Sequence, residues 1–523
     1  MLNLDGTGQA AFSGAGSKVD GRVTSAAVSN VARIGRATLL EDVEHGFEQI
    51  VYYQSGVGSG AESGSIQGLI EGGLGSGLIS NVRDAYGFLC NNYDYHDQIY
   101  ITGFSRGAFT ARSLAGLIGK VGILTKKGLD HFYEAFDYYQ HPETWKEKAD
   151  PCPVWEKMDI TRVRTPEVPE EKDGNGKITK ERIAEEKITI QAVGVWDTVG
   201  ALSGENAFHD VRLGEHIKNG FHMLALNEKR AAFEPTLWEV PCKEAPHLEN
   251  FEQRKKAPNL ENFEQCWMPG DHSNIGGSWD DQQLADISLA WMMSRLGSLG
   301  VKFDPAYLYR EFVKFNDHVK LRVEEPRNKN NDPVSPKDLY PKQWGEGMTD
   351  LFDLDGEDPQ ILNMTGRIKD LSHWVYKLNK TRTPMMYCHP EDQSSWLPWK
   401  GILLAQGLEP LKNTNETFHP SLRYRHYCSR EGKLGAEYQG PYETKSMAGW
   451  TWPAKQPDGR IGDKRSSASA DDFKYSRVKE GETVTVPESP MGYYEKLLLA
   501  MYDQDSTLKK NYGSIWKEVL GGT

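Results

Sequence analysis

Gly103-Phe104-Ser105-Arg106-Gly107 sets a serine between two glycines, with an apolar run from Gln98 to Thr102 before it and a small-residue run from Ala108 to Ile118 after it. Strand, tight turn and helix in that order fit the G-x-S-x-G elbow, in which the turn lifts a serine hydroxyl off the end of a sheet. The flanking glycines leave space where helix and strand nearly touch. Ser105 is therefore read as a nucleophile for acyl chemistry. The backbone amide of Arg106 is then placed to donate to the oxyanion that such chemistry develops. The competing reading is a glycine-rich turn that binds phosphate or nothing.

A serine hydroxyl is a weak nucleophile unless a base takes its proton, and the base needs an acid to orient it. Asp197 follows the apolar strand Lys187 to Trp196, and His272 follows a second strand, Phe263 to Met268. The order Ser, Asp, His is that of α/β-hydrolases, where each partner sits on a loop after a strand. Gly270, Gly276 and Gly277 would let the histidine loop fold back toward the elbow. Asp271 and Asp280 stay open as the acid. His419, in Glu416-Thr417-Phe418-His419-Pro420-Ser421, stays open as the base, although no clear strand precedes it. A second oxyanion donor is expected from the loop after the first short strand, Asp5-Gly6-Thr7-Gly8. There Gly6 or Thr7 would offer its amide and Asp5 would brace the turn.

Positioning these residues requires alternating strands and helices. Residues 1–125 read that way, with a strand at Leu2 to Leu4, a helix near Asn30 to Leu40 and a strand at Gln49 to Tyr53. A helix through Val82, Ala85, Tyr86 and Leu89 leads to the elbow strand. Helices are expected over Ala225 to Phe233 and Gln283 to Leu296. This pattern predicts an α/β fold, a mostly parallel sheet flanked by helices. The charged, proline-punctuated stretch of about 126–186 reads as an insertion in a catalytic domain spanning 1–300. Residues 301–523, rich in Trp, Tyr and Pro, read as an accessory or cap region. There Pro453 to Phe473 looks like a polar loop, and a helix from Tyr493 to Tyr502 could pack back on the core.

Composition narrows the partners. The chain has 523 residues and a formal net charge of -13, and its mean hydropathy is -0.61. An acidic surface repels nucleic acid and is a poor match for an anionic membrane, although a local patch leaves peripheral membrane contact open. The six cysteines are scattered, with no C-x-x-C pair and no zinc spacing, so neither a metal site nor a disulfide framework is expected. Glu171 to Arg182 partly fits a calcium loop, but Arg182 stands where a bidentate glutamate belongs, so a turn is expected. No secretory signal or membrane span is read, and the stretch Ile66 to Ile79 is short and broken by Glu71. These readings point to a cytoplasmic protein, with signal-independent export left open. Oligomeric state is not read. One near-repeat, Ala245 to Gln253 and Ala257 to Gln265, looks like a local duplication in which only the second copy can form the strand before His272.

Six pieces carry a resemblance. They are Leu4-Asp5-Gly6-Thr7, Val51 to Gly58, Gly103 to Arg112, Gly194-Val195-Trp196-Asp197-Thr198-Val199-Gly200, Ala225 to Arg230, and Gly270-Asp271-His272-Ser273-Asn274-Ile275-Gly276-Gly277. In this order, over about residues 1–300, the chain resembles the α/β-hydrolase family typified by type VI secretion phospholipase effectors, which has uncharacterised fungal relatives. The resemblance implies an α/β-hydrolase-like fold and a Ser-Asp-His hydrolase, and chemistry by such a triad is expected to need no cofactor or metal. It carries those roles onto Ser105, Asp197 and His272, and it implies a lipid or other small ester as substrate. Asn274 stands where family members usually have Asp, and the first strand is short. Acyl transfer or cyclisation by the same triad stays open, as does a non-catalytic interaction protein on this scaffold.

Overall fold

In the computed structural model, Leu2–Leu4 (β1), Tyr52–Gln54 (β2), Ile99–Phe104 (β3), Ile190–Trp196 (β4), Asn219–Ala225 (β5), Asn262–Met268 (β6) and Glu416–Phe418 (β7) hydrogen-bond into one sheet. The spatial order is β7-β6-β5-β4-β3-β1-β2, and every pairing is parallel. The structure describes residues 1–6, 28–56, 74–141, 188–199, 212–240, 260–279, 282–308, 381–387, 413–430, 444–453 and 473–502, apart from 95, 309 and 480, together with a few shorter pieces. The calcium-like loop at 171–182, the first copy of the repeat and most of 453–473 lie outside the described residues.

Parallel strands need helical crossovers, and those helices cover both faces of the sheet. Asn30–Ala37 (α1), Leu74–Asn92 (α2), Ser105–Val121 (α3), Phe132–Gln140 (α4), His272–Gly276 (α5), Gln283–Gly297 (α6), Ser421–Arg430 (α7) and Tyr493–Tyr502 (α8) are the helices that matter here. Side chains alternate across a strand. Tyr100, Phe104, Ala192 and Trp196 enter a core with residues of α1, α6 and α8. Ile99, Ile101, Val193 and Val195 enter the opposite core with residues of α2, α3 and α4. The chain is thus an α/β fold in three layers.

Strand order reverses between β1 and β3: the chain crosses from β1 to β2 on one side, then returns to build β3 to β7 on the other. Loops leaving the carboxyl ends of β1 and β3 diverge at such a reversal, and the crevice between them is where open α/β sheets bind ligands. Ser105 and the Asp5 turn leave the sheet at this place.

Several expected elements differ. The helix expected over Ala225–Phe233 is absent, since Ala225 ends β5 and only Ala231–Phe233 forms a single 3-10 turn. Leu226 to Ala232 is rich in helix formers, but the amides of Leu226 and Asn227 bond to the carbonyls of Met268 and Gly270, and the Glu228 side chain takes those of Lys229 and Arg230, which overrides that propensity. The strand expected at Gln49–Tyr53 is shifted to Tyr52–Gln54. Phe132, Phe136 and Tyr139 of α4 are buried in the core, at the point where an insertion was expected to have begun. Past residue 300, β7 extends the sheet, and α8 packs on α6 through Tyr494, Leu497 and Leu498.

Candidate active site

Ser105 follows β3 directly and opens α3 with a φ of 58°. A non-glycine residue in this left-handed region is strained, and such strain persists only where packing enforces it. The two glycines of the motif permit that packing. A Cβ on Gly103 would sit 2.5 Å from the Gly107 carbonyl oxygen, and one on Gly107 would sit 2.3 Å from the carbonyl oxygens of Leu4 and Asp5. Helix, elbow and the β1 turn are therefore in backbone contact. Ser105 is buried, and its hydroxyl has no hydrogen-bond partner among the described residues.

The β1 turn lies against the serine: a Cβ on Gly6 would be 3.1 Å from Ser105 Cβ. Asp5 braces the turn. Its carboxylate accepts from Ser29 Oγ at 2.6 Å, Tyr53 OH at 2.7 Å and the Gly6 amide at 2.7 Å. Burial pushes this carboxyl up to about 6, and the three hydrogen bonds only partly oppose that. Because the Gly6 N–H is taken by Asp5, it is not free to face an oxyanion. Thr7, the other expected donor, lies outside the described residues.

Asp197 follows β4 with a φ of 41° and is fully buried. His272 opens α5 after β6, and its Nδ1 lies 2.6 Å from Asp197 Oδ2. An ionised carboxylate only accepts, so it is Nδ1 that donates in this contact. The imidazole is held between two rings, with centroids 4.6 Å from Phe104 and 4.8 Å from Phe233. Phe104 immediately precedes the serine, so this contact sets the histidine over the elbow. A Cβ on Gly276 would meet the Phe104 ring at 2.0 Å, so the glycine in the histidine loop makes room for that ring.

The histidine loop is fastened from several sides. Asp271 caps α5, accepting from the amides of Ser273 and Asn274 at 2.9 Å each and from Trp279 Nε1 at 2.9 Å. Asn274 Oδ1 accepts the Asp271 amide at 3.1 Å, a bond that a carboxylate at this position would also make. The Asn30 side-chain amide donates to Ile275 O at 3.0 Å and Ala285 O at 2.9 Å. Asp271 is thus occupied in capping, and Asp280 lies outside the described residues. His419 does follow a strand, the three-residue β7, whose polar Glu416-Thr417 obscured it in the sequence. Its ring bonds Ser421 Oγ at 2.8 Å and Glu495 at 3.0 Å, and the strand it follows is separated from β4, which leads to Asp197, by β5 and β6.

Residues 1–295 match the family model described as the catalytic domain of Tle1-like type VI secretion (T6SS) phospholipase effectors. The chain belongs to this family. It is also similar to the Saccharomyces cerevisiae (strain ATCC 204508 / S288c) protein described as "Uncharacterized protein YEL023C", with 31% identity over 200 residues. That match covers 36% of this chain and 27% of the yeast protein.

In this Tle1-like chain, two charged residues of the centre escaped the sequence reading. Arg382, buried and outside the matched region, donates from Nη2 to Asp197 Oδ2 at 2.9 Å and from Nη1 to Asp197 Oδ1. It also donates to the carbonyls of Ala225 at 2.8 Å and Phe233 at 2.6 Å. Burial alone would raise the Asp197 carboxyl; the Arg382 charge and the His272 hydrogen bond reverse this and hold it far below the usual carboxylate range. Glu228, in the turn after β5, accepts from the His272 amide at 3.2 Å and from Arg230 Nε at 2.9 Å. Burial would raise Glu228 too, but Arg230 holds it down at about 2. Only Glu228 had a sequence signal, as part of Ala225 to Arg230. Arg382 has no local motif.

The described residues bring together one Asp/Glu/His group that could offer metal ligands, Asp42, Glu44 and His45. The Lys302 ammonium already sits 3.1 Å from Glu44 and 3.8 Å from Asp42. No helix among the described residues is long and apolar enough to cross a membrane.

Proposed function

We propose that this protein is a serine hydrolase that cleaves carboxylic esters of lipids through Ser105, His272 and Asp197. The observation that carries this reading is the Asp197–His272 pair seated over Phe104, beside a serine held at a strained elbow. Ser105 Oγ attacks the ester carbonyl while His272 Nε2 takes its proton, a contact that tightens when substrate enters. Asp197 keeps the proton on Nδ1 and stabilises the imidazolium. The Arg106 amide, with Thr7 as its partner, stabilises the tetrahedral oxyanion. The imidazolium then protonates the leaving alcohol, and water attacks the acyl-enzyme by the reverse path. None of these steps calls on a metal or organic cofactor.

Membership in a phospholipase family favours a lipid ester, and Arg106 supports a phosphate-bearing one. Its side chain is half-buried beside the nucleophile, desolvation pushes it down to about 10, and it has no ion-pair partner among the described residues. A cation in that state favours an anionic group on the substrate. Leu40, Val43 and Phe47 are exposed, but their hairpin lies near Ile50 and Met1, at the opposite end of β1 from the Asp5 turn. Residues 1–300 would supply the chemistry and 301–523 an accessory region folded onto it.

The deciding experiment compares hydrolysis of a glycerophospholipid and a short-chain ester below and above the micelle threshold. A rise at the threshold for the wild type, absent in Ser105→Ala, supports a lipase acting at an interface. Equal rates on either side of it would leave a soluble-ester hydrolase. Transfer of the acyl group to an added alcohol in preference to water would replace hydrolysis with acyl transfer.

A further inference from the structure

The Asp197 carboxylate accepts four hydrogen bonds: from His272 Nδ1, from both Arg382 nitrogens and from the Ala225 amide at 2.9 Å. Three of these four involve neither the elbow nor the histidine, so what fixes Asp197 is chiefly Arg382 and β5. A carboxylate gripped on both oxygens cannot rotate, and a guanidinium does this with a planar fork. Arg382 also holds the Phe233 carbonyl, and the Phe233 ring faces His272 edge-on. One side chain thus anchors both the acid behind the imidazole and a wall beside it. Resting on the serine-hydrolase reading above, we propose that Arg382 is a positioning residue of the ester-cleaving centre, which locks Asp197 against His272 and makes the centre dependent on a segment outside the 1–295 match.

Charge arrangement agrees with this role. Arg382 faces Asp197 from behind, Glu228 and Arg230 lie in the turn after β5, and His222 stands on β5 with Arg112 of α3 nearby. Tyr387 belongs to the segment of Arg382 itself, and Asp271 precedes the histidine. His222 is kept neutral by burial and by Arg112, with its imidazole pushed down to about 3. Arg382 is therefore the cation in direct contact with the acid. Without it, burial of Asp197 is opposed only by His272 and the Ala225 amide, and the carboxylate is protonated at higher pH.

The test uses the full chain with a p-nitrophenyl short-chain ester and a fluorophosphonate probe, across pH 4–9. In Arg382→Gln, kcat falls roughly 10- to 100-fold, KM stays within about twofold, and the acidic limb of kcat/KM moves to higher pH. Arg382→Lys keeps the charge and loses the fork, so its kcat lies between the two and its limb stays in place. Arg423→Gln breaks another buried ion pair of the C-terminal region, to Glu488, without touching Asp197, and controls for general loosening. A folded Arg382→Gln with parental kcat and limb would overturn the inference, and so would losses equal to those of Arg423→Gln with an unmoved limb. Should Arg382→Gln not fold, a parental kcat in Arg382→Lys overturns it. If the wild type neither hydrolyses the ester nor takes the probe, the serine-hydrolase reading itself fails. Wild-type labelling at a rate that Arg382→Gln matches removes the inference alone.

Discussion

Trp196 stands opposite Phe104 in the parallel pairing of β4 with β3, and the residue after each turns into positive φ: Asp197 at 41° and Ser105 at 58°. Asp197 and Ser105 therefore leave the sheet side by side, at one level, from neighbouring strands about 4.8 Å apart. His272 comes from β6, two strands beyond β4, so its loop must reach back across the end of β5. Glu228, in the turn after β5, meets it on the way.

Ser105→Ala removes the proposed nucleophile and leaves the hydrogen bonds of Asp5, Asp197 and His272 intact. Turnover should fall on the order of 10⁴ to 10⁶, and labelling by a fluorophosphonate should vanish. The urea unfolding curve should stay within about 0.5 kcal/mol of the parent. Ester hydrolysis surviving this change would remove Ser105 from the mechanism.

Asp197→Asn should behave differently from an ordinary change to the acid of a triad. It lowers turnover by about 10⁴, but it also leaves the buried Arg382 without its carboxylate. Breaking a buried ion pair costs about 3–5 kcal/mol, which urea unfolding resolves easily. An inactive Asp197→Asn variant as stable as Ser105→Ala would show that the ion pair contributes nothing net.

Asp5 gives a pH signature. Burial raises its carboxyl to about 6, against an ordinary 3.8, so the folded chain holds this proton more tightly than the unfolded one. Its stabilising effect is complete below about 3.8 and is lost as pH rises through 6. The gap corresponds to about 3 kcal/mol. Asp5→Asn does not titrate, so the unfolding free energy of wild type minus variant should decline by about that amount from pH 4 to pH 7. A difference that is flat across this range would contradict the assignment.

Arg106→Met separates the amide of that residue from its charge. The proposed oxyanion donor is kept and the cation beside Ser105 is lost. KM for a glycerophospholipid should rise roughly 10- to 100-fold, the worth of a charged hydrogen bond, while KM for an uncharged short-chain ester changes little. Equal effects on both substrates would argue that Arg106 does not contact the phosphate.

Much of this centre was legible in the sequence because its parts are local. Gly103 and Gly107 announce a close backbone approach, and Asp197 and His272 each follow an apolar strand at a readable distance. What was not legible depends on partners far along the chain. β5 carries Asn219, Gly220 and His222, which look polar until Gln265 and the Thr198 amide are seen to satisfy His222. β7 is three residues long and becomes a strand only because β6 offers its edge. Arg382 lies 185 residues from Asp197, and nothing in its immediate neighbourhood points to an acid. The Gly6 amide looked free because the bond that occupies it comes from the side chain of its own neighbour.

The position of β7 at the end of the sheet has a consequence in time. A ribosome that has finished residue 300 has made β1 to β6, but β6 still presents an open row of backbone groups and Asp197 still lacks Arg382. Synthesis runs at roughly 5–20 residues per second, so Phe418 follows residue 300 after roughly 6–24 seconds. Throughout that interval the nascent chain carries a pairing edge that another strand could capture. The late arrival of Glu416–Phe418 pairs that edge at Gln265–Trp267, and by then Arg382 has already been made. The partner of the β6 edge and the partner of the Asp197 carboxylate are thus made within the same few seconds of translation.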